Sequence, residues 1–378
     1  MPRVAHVITT LDVGGAEKLL AGLTRLTNDT VLVVSLGQPG RVAPEIEAGG
    51  IPVVGLGLER PRDILPGIAR LTRLLRDIDA DVVQTWMYHA DLIGGWAARR
   101  AGVPGLAWSL HASDLPSGGI RHRTLLIRRV NALLSHRWPD AIVCTSEATL
   151  SVHEGLHYAR DRMQVIRNGF PVRTPDASKG RRVRQELGIP DEAVVIARVG
   201  RLDAQKDWGT LAEAWARLLT RHPLVHVIGC GRDVAAEAPE LAALREDRIA
   251  ARVHLLGLRD DIDAVYAASD IAVSSSSFGE TFPLVIGEAM AAGVPVVTTD
   301  VGDCRELVGP TGHVVPPRDI DGLATGMAQL VTDRARRVKL GTQARQRVGS
   351  LFSLDDTAAA YHELHQRLAR HEDIDPDA

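Results

Sequence analysis

The sequence predicts an α/β protein built from two doubly wound, Rossmann-like domains. Short runs rich in valine and isoleucine alternate with segments of helical period along most of the chain. These runs are apolar throughout, which is typical of parallel strands covered by helices on both faces. The alternation stops at one polar stretch, residues 172–185, and then begins again. Two series separated by such a stretch indicate two domains.

The first predicted domain covers residues 1–172 and contains seven strand-like runs. Helical period is clear between several of them, as in AEKLLAGLTRL and IARLTRLLRDI. The predicted strands are residues 4–9, 30–36, 51–56, 82–86, 105–110, 141–145 and 163–167.

The second predicted domain covers residues 173–354, after a linker in the polar stretch 172–185. Its predicted strands are residues 194–200, 224–229, 253–256, 271–275, 295–299 and 312–316. The C-terminal segment 355–378 contains one further predicted helix, residues 355–371. It lies beyond the last strand, so two placements are open: on the second domain, or back on the first.

Composition excludes several classes of protein. The 378 residues are 45% hydrophobic and 24% charged, with a net charge of −3, whereas a nucleic-acid-binding domain needs a concentrated basic surface. Three cysteines, at positions 144, 230 and 304, lack motif spacing and indicate a reducing compartment. The sequence shows neither a secretory signal nor a long apolar span, so we expect a cytoplasmic protein.

Ligands of open α/β sheets bind beyond the carboxyl ends of the strands. After the first strand, Gly14 and Gly15 let the backbone approach an anion at a helix start, or they form a tight turn without a ligand. They do not make the GxGxxG pattern, which disfavours a nicotinamide enzyme. After the fifth strand, His111 either contacts a ligand or is a structural histidine.

Two cations follow the first strand of the second domain, in VGRLDAQKD. Arg201 and Lys206 lie on a loop that enters a helix, where they suit a diphosphate. Arginine supplies planar paired donors and lysine a mobile point charge. The alternative is that both side chains are solvated surface residues.

The segment SSSSFGETFPLVIGEAMAAG, residues 274–293, places two acids in apolar surroundings. A buried helix is predicted to begin near Phe282 and Pro283, because proline is favoured at the first helical position. Glu288 inside this helix is costly unless a partner satisfies it, as sugar hydroxyls would. Glu280 precedes the helix as a cap, or the free N–H groups from Phe282 to Leu284 hold a phosphate.

Two charged segments leave alternatives open. Residues 121–137 contain five arginines, no acid and an apolar stripe. They contact an anionic membrane or acceptor, or they form a core-packed helix with a solvated basic face. In RDDID, residues 259–263, Asp260 or Asp261 caps a helix or the acids hold a metal; we favour the cap.

Taken together, these motifs resemble the retaining, GT-B-fold glycosyltransferases of family 4, also called glycosyl transferases group 1. The resemblance rests on GGAE from Gly14, on GRLDAQKD, and on ETFPLVIGE followed by AMAAGVPVV. It extends to TSE at 145–147 and RNGF at 167–170. It implies that the two domains face each other across a cleft that holds a nucleotide-diphosphate-sugar donor, most often a UDP-sugar.

The resemblance also implies roles for single residues. Arg201 and Lys206 neutralise the diphosphate, to which the Gly14–Gly15 turn and the backbone from Phe282 through Pro283 to Leu284 add amide contacts. The fixed cations stabilise the leaving group without a metal. No cofactor is implied, since the nucleotide sugar is a substrate.

Further roles concern the sugar and the base. Glu280 holds a donor-sugar hydroxyl, His111 contacts the same sugar, and Glu288 holds the ribose. The backbone at Leu258–Arg259 meets the base. Hence His111, Glu280, Arg201 and Lys206 form the implied catalytic set.

One residue departs from the family pattern. Thr281 stands where family members usually have glycine, and a side chain there narrows the sugar pocket. The implied reaction is hexosyl transfer, with retained configuration, to a hydroxyl of a cell-surface polysaccharide, a glycolipid or a metabolite. The alternatives are a GT-B-type sugar-nucleotide epimerase and a non-catalytic sugar-binding protein.

Overall fold

The structure is a computed structural model that describes residues 1–12, 14–111, 122–172 and 174–371. The chain divides into two compact units. Unit 1 comprises Met1–Gly169 together with Leu354–Ala378, and unit 2 comprises Phe170–Ser353. Each unit contains one parallel sheet with helices on both faces, which confirms the predicted fold class.

Unit 1 is built on a seven-stranded sheet of order β3-β2-β1-β4-β5-β6-β7. Its strands are β1 Val4–Ile8, β2 Thr30–Ser35, β3 Val53–Gly55, β4 Val82–Trp86, β5 Gly105–Leu110, β6 Ala141–Cys144 and β7 Met163–Val165. The helices between them are α1 Gly15–Leu26, α2 Ala43–Glu47, α3 Ile64–Asp77, α4 Tyr88–Ala101, α5 His122–Leu134 and α6 Glu147–Gly155, with 3₁₀ turns at Pro61–Asp63 and Arg160–Arg162.

The apolar strands of unit 1 supply side chains to both faces of the sheet. In β1, Val4 and Ile8 join the core on one face, whereas Ala5 and Val7 join the core on the other. Successive side chains of a strand point to opposite faces. A strand covered on both sides is therefore apolar at nearly every step, and in β1 only the buried His6 interrupts the run.

Unit 2 is built on a six-stranded sheet of order β10-β9-β8-β11-β12-β13. Its strands are β8 Val194–Val199, β9 Val225–Cys230, β10 Val253–Gly257, β11 Ile271–Ser274, β12 Val296–Thr299 and β13 His313–Val315. Its helices are α7 Ala177–Glu186, α8 Trp208–Arg221, α9 Asp247–Ala250, α10 Ile262–Ala267, α11 Leu284–Ala291, α12 Cys304–Val308, α13 Ile320–Thr332 and α14 Arg334–Leu351, with 3₁₀ turns at Pro239–Leu244 and Gly309–Thr311.

The predicted linker is wrong in its second half, because residues 177–186 form helix α7. Asp176 caps this helix by accepting a hydrogen bond of 2.9 Å from the Ser178 N–H. Gly180 packs so closely on α10 that an added Cβ would lie 2.3 Å from the Ala267 carbonyl oxygen. Only Gly180 and Val183 are buried in α7, so the sequence carries almost no apolar period there.

The C-terminal helix α15, Leu354–Ala369, lies in unit 1, where it packs on α1, β4 and β5. The Nδ1 atoms of His362 and His365 lie 2.9 and 3.3 Å from the Asp29 carboxylate. Burial alone raises the pKa of Asp29, but the hydrogen bonds from His365 and His362 hold it below its ordinary value. A buried polar network therefore fixes the end of the chain to the sheet.

Candidate functional site

The strand order of unit 2 reverses between β8 and β11, which are direct neighbours in the sheet. Loops that follow two such strands enclose a crevice, the usual ligand position in open α/β sheets. Arg201 and Lys206 lie in the loop after β8, residues 200–207, and Glu280 lies in the loop after β11, residues 275–283. The sheet thus brings together the predicted cations and the first predicted acid.

The loop after β8 holds its two cations differently. Arg201 is half exposed; its guanidinium pairs with Asp203 and donates a hydrogen bond of 2.8 Å to Gln205 Oε1. The Trp208 indole N–H donates to the Arg201 carbonyl at 2.9 Å, so the backbone there is fixed while the side chain reaches solvent. Lys206, in contrast, is largely buried.

Lys206 and Glu280 form an ion pair, with Lys206 Nζ 2.5 Å from Glu280 Oε1. The Glu280 side chain is only 7% exposed and Lys206 14%. Burial raises the pKa of Glu280, but the charge and hydrogen bond of Lys206, with smaller contributions from Ser276 and Arg198, more than offset it and leave the pKa below its ordinary value. The carboxylate is therefore ionised at neutral pH.

Hydroxyl groups from the serine run join the two loops. Ser275 Oγ donates to the Lys206 carbonyl at 2.9 Å, and Ser277 Oγ donates to the Ala204 carbonyl at 3.3 Å. The Ser277 N–H donates to the Gln205 carbonyl at 2.9 Å. Because these bonds cross from one loop to the other, the position of Lys206 is tied to that of Glu280.

The other two serines of the run face the buried side. Ser276 Oγ donates to Glu280 Oε1 at 2.5 Å, and the Ser276 carbonyl accepts from Thr299 Oγ1 at 2.6 Å. Ser274 Oγ accepts a 3.3 Å hydrogen bond from the Arg198 guanidinium. The sequence prediction missed these four serines and Arg198; the run itself, and a charged residue inside an apolar strand, are the signals that point to them.

Helix α11 begins at Leu284, one residue after Pro283, the predicted first helical residue. Pro283 is the flanking residue, with an extended ψ of 108°. The Ile286 N–H donates to the Pro283 carbonyl at 3.1 Å, so the N–H groups of Leu284 and Val285 precede the bonded part of the helix, as at any helix start. Phe282 anchors this start, with its ring 5.9 and 5.1 Å from those of Phe170 and Phe352.

Glu288 and Thr281 lie at this end of unit 2, and both are partly exposed. Helix α11 is mostly buried, as predicted, but Glu288 itself is only partly enclosed. Helix α11 buries Ile286, Gly287 and the stretch 289–291, while Glu288 lies on the side that remains accessible. Burial raises the pKa of Tyr266 well above its ordinary value, and the charge of the Glu288 carboxylate adds a smaller increase.

The loop after β10 contains Leu258 and Arg259. Leu258 is 45% exposed, and the Arg259 guanidinium makes a paired contact with Asp261, at 2.8 Å for both oxygens, and another with Glu186 at 3.0 Å. Asp261 occupies the cap position of α10 but makes no cap hydrogen bond with its side chain. The predicted position of the cap is therefore right, but the predicted side-chain hydrogen bond is wrong, because the Asp261 carboxylate pairs with Arg259 instead.

The metal interpretation of residues 259–263 gains no support from the described part of the chain. No group of three or more histidine, cysteine, aspartate or glutamate side chains there is arranged to hold a metal ion.

In unit 1, Gly14 and Gly15 begin helix α1, as predicted. Gly14 is the cap residue with an extended φ of −160°, and an added Cβ would lie 2.3 Å from the Glu17 carboxylate. Burial raises the pKa of Glu17 above its ordinary value. A side chain at position 14 would only have to displace the flexible end of Glu17, so neither this contact nor the extended backbone requires glycine there.

His111 follows β5 and stacks on Trp86, with ring centroids 5.2 Å apart and planes inclined by 28°. Burial lowers the pKa of His111 to about 4, so the imidazole is neutral at neutral pH. Asp114, for which the sequence leaves open a role as partner of His111 or as a helix cap, lies outside the described residues. Gly14, Gly15 and His111 belong to unit 1, whereas the other predicted site residues belong to unit 2.

Two family models match the chain. The model described as Glycosyltransferase Family 4 matches residues 13–173, and the model described as Glycosyl transferases group 1 matches residues 193–333. The chain belongs to glycosyltransferase family 4. Both matches include the site loops of their unit, and together they span every motif on which the resemblance rests.

Curated relatives share moderate identity with the chain. The D-inositol 3-phosphate glycosyltransferase of Corynebacterium jeikeium is 35% identical over 240 residues, which cover 60% of this chain and 57% of that protein. An exopolysaccharide phosphotransferase of Streptomyces coelicolor is 30% identical over 248 residues, which cover 62% of this chain and 24% of that protein. The chain thus spans little more than half the length of the inositol-phosphate relative it matches.

Solved structures share the fold over nearly the whole chain. HepE of Anabaena, in complex with UDP-glucose, superposes with a TM-score of 0.84 at 24% identity, covering 97% of this chain and 100% of HepE. Sucrose-phosphate synthase of Thermosynechococcus elongatus superposes with a TM-score of 0.80 at 20% identity, covering 98% and 100%. These likenesses confirm that this family 4 chain has the GT-B fold.

Proposed function

We propose that this protein is a retaining glycosyltransferase that transfers a hexosyl group from a UDP-sugar to a hydroxyl acceptor. The observation that carries the proposal is the buried Lys206–Glu280 pair beside the start of α11, at the strand-order reversal of unit 2. HepE, a structure of the same fold, binds UDP and UDP-glucose, which supports uridine diphosphate as the nucleotide of the donor.

In this proposal the donor diphosphate lies against Lys206, Arg201 and the first N–H groups of α11. Negative charge grows on the departing diphosphate as the bond to the anomeric carbon breaks, and fixed cations and amides lower the energy of that state. Arg201 exchanges Asp203 and Gln205 for phosphate oxygens. The two cations supply the charge that a divalent metal supplies in other transferases, so transfer is independent of added metal.

Retained configuration is typical of family 4, and the engagement of Glu280 bears on how it is achieved without a covalent intermediate. Its Oε1 atom accepts from both Lys206 and Ser276, so the carboxylate positions a sugar hydroxyl rather than attacking the anomeric carbon. The acceptor oxygen therefore approaches on the face from which the diphosphate departs. The bond from the anomeric carbon to the phosphate oxygen breaks, the bond to the acceptor oxygen forms, and the acceptor proton passes to the diphosphate.

Replacing Glu288 with alanine is expected to lower the affinity for UDP about tenfold, because a carboxylate–hydroxyl hydrogen bond contributes roughly 1.5 kcal/mol. Titration calorimetry with UDP, in the presence of a chelator, measures this. Glu237→Ala changes an exposed acid of unit 2 and serves as the control. Wild-type protein that binds neither UDP nor UDP-glucose would exclude the proposed function, and an unchanged Glu288→Ala affinity would exclude the ribose contact.

We also propose that helix α5 contacts an anionic membrane surface, which would place the acceptor near lipid. The predicted single apolar stripe of residues 121–137 is wrong: Ile127 and Leu134 pack on the core of unit 1. Leu126 and Leu133, seven residues apart, are instead 63% and 77% exposed. Exposed arginines flank these leucines: Arg123, Arg129 and Arg137. None of the described helices is long and apolar enough to cross a membrane.

Leu126→Ser combined with Arg129→Glu is expected to weaken binding to phosphatidylglycerol vesicles about tenfold or more, because each basic residue near such a surface contributes about 1 kcal/mol and each buried leucine more. Vesicle sedimentation measures the bound fraction. The control, Val338→Ser with Arg248→Glu, makes the same types of change at exposed positions of unit 2. Wild-type protein that ignores these vesicles, or equal weakening by the control, would contradict the proposal.

A further inference from the structure

Arg198 lies inside strand β8 and is fully buried. Its guanidinium donates to the Val199 carbonyl at 3.0 Å, to Ser274 Oγ at 3.3 Å and to the Lys206 carbonyl at 3.3 Å. The guanidinium carbon lies 5.6 Å from the centre of the Trp208 ring. These partners are neutral groups, so Arg198 brings a positive charge into unit 2 that no carboxylate of the described residues contacts directly.

The contact with the Lys206 carbonyl connects this charge to the candidate donor site. That carbonyl accepts from two groups, Arg198 and Ser275 Oγ, which fix the backbone from which the Lys206 ammonium reaches Glu280. Burial lowers the pKa of Arg198, and the largest opposing effect is the charge of Glu280. Arg198, Glu280 and Lys206 are therefore an electrostatic triad with a net charge of +1.

Binding of a diphosphate changes how the charge of Glu280 is neutralised within this triad. Lys206 cannot neutralise the phosphates and remain fully paired with Glu280, yet Glu280 is only 6% exposed. A buried carboxylate without a nearby cation takes up a proton. Three further groups influence the ionisation of the triad: Asp203, Cys304 and Tyr266. The charge of Asp203 opposes the lowering of the Arg198 pKa by burial. Burial raises the pKa of the Cys304 thiol to about 12 and that of the Tyr266 phenol well above its ordinary value. None of these three is a second cation.

Resting on the proposed function, we propose that Arg198 is a positioning residue of the donor site. It holds the Lys206 backbone in place, and it supplies the fixed positive charge that balances Glu280 while Lys206 contacts the donor diphosphate. Arg198 itself does not contact the donor. This role differs from simple filling of the core, because it links nucleotide binding to the protonation state of Glu280.

Calorimetry in buffers of different ionisation enthalpy tests this role, with UDP as the probe and GDP and ADP as parallel probes. Wild-type protein is expected to bind UDP without taking up a proton between about pH 7 and pH 8, where the terminal phosphate of UDP, with a pKa of about 6, is already mostly ionised. Arg198→Met is expected to take up close to one proton on binding, so its affinity falls as pH rises, by about tenfold for each pH unit. Arg198→Lys keeps the charge and is expected to restore proton-free binding at reduced affinity.

Two controls separate this role from a loss of packing. Arg337→Met removes another buried arginine of unit 2 that donates to carbonyls, those of Leu330 and Val331, and is expected to leave proton uptake at zero. Adding Glu280→Gln to Arg198→Met is expected to abolish the uptake. If Arg198→Met does not fold, Arg198→Lys is tested alone. It is expected to bind UDP without taking up a proton, and proton uptake by this variant overturns the proposal.

The outcomes are distinguishable. Wild-type protein that binds none of the nucleotides refutes the proposed function and this role with it. Wild-type binding together with proton-free, pH-independent binding by Arg198→Met refutes only the role of Arg198.

Discussion

Lys206→Met is expected to lower UDP affinity roughly 100-fold and the free energy of unfolding by about 3 kcal/mol, because it removes a charge-assisted contact to phosphate and leaves a buried acid without its partner. Glu280 is nearly inaccessible in the ion pair, so water compensates little for the loss. Calorimetry measures the affinity, and urea denaturation of unit 2 measures the stability.

The double variant Lys206→Met with Glu280→Gln separates the two effects. It replaces both charges with neutral side chains of similar length, so most of the lost stability is expected to return. UDP affinity is not expected to return, since the cation is still absent. If stability and affinity recover together, Lys206 acts on the donor only through the fold, and its assignment to the diphosphate is wrong.

Gly302→Ala is expected to destabilise unit 2 by about 3 kcal/mol or more and to abolish UDP binding, because the added methyl group forces the backbone under the site to move. Gly302 has a φ of +57°, and an added Cβ would lie 2.2 Å from the Glu280 carbonyl oxygen and 2.8 Å from that of Thr281. The neighbouring Asp303 N–H donates to the Thr281 carbonyl at 2.9 Å, so the segment cannot retreat without breaking that bond.

Gly188→Ala is the matched control for this change. Gly188 also lies in unit 2 with a positive φ, +62°, but an added Cβ there would meet no atom within 4 Å. Its cost is therefore only the backbone strain of alanine in the left-handed region, about 1 kcal/mol. Thermal unfolding measures the loss of stability in both variants, and UDP titration measures their affinity. Equal effects would show that backbone strain, and not the approach to Glu280, governs position 302.

The parallel strands were predictable because burial on both faces leaves a direct trace in the sequence. Runs such as VAHVI and AIVC are apolar at nearly every step, and no surface constraint dilutes that pattern. Helix α7 was not predictable from period, because it holds its place through a glycine contact and a cap rather than an apolar face. The contact of Gly180 with Ala267 depends on a residue that is distant in the sequence, so a local pattern does not predict it.

The same distinction applies to the candidate site. Arg201, Lys206 and Glu280 were predictable as residues that follow strands at the edge where ligands bind. Their pairing was not, since Lys206 and Glu280 are 74 residues apart in the chain and meet only because β8 and β11 are neighbours. Arg198 stands out in VVIARV as a charged residue in an apolar strand, but its contacts with Ser274 and the Lys206 carbonyl are not evident from the sequence.

The serine bonds between the loops 200–207 and 275–283 also bear on how donor preference can be re-engineered. Ser275 and Ser277 attach to the backbone of the first loop, so neither loop has a conformation that is independent of the other. A graft from another family 4 enzyme that exchanges one loop alone would break these attachments. The two loops should therefore be exchanged together, along with Arg198, which donates to the Lys206 carbonyl of the first loop and to Ser274 just before the second.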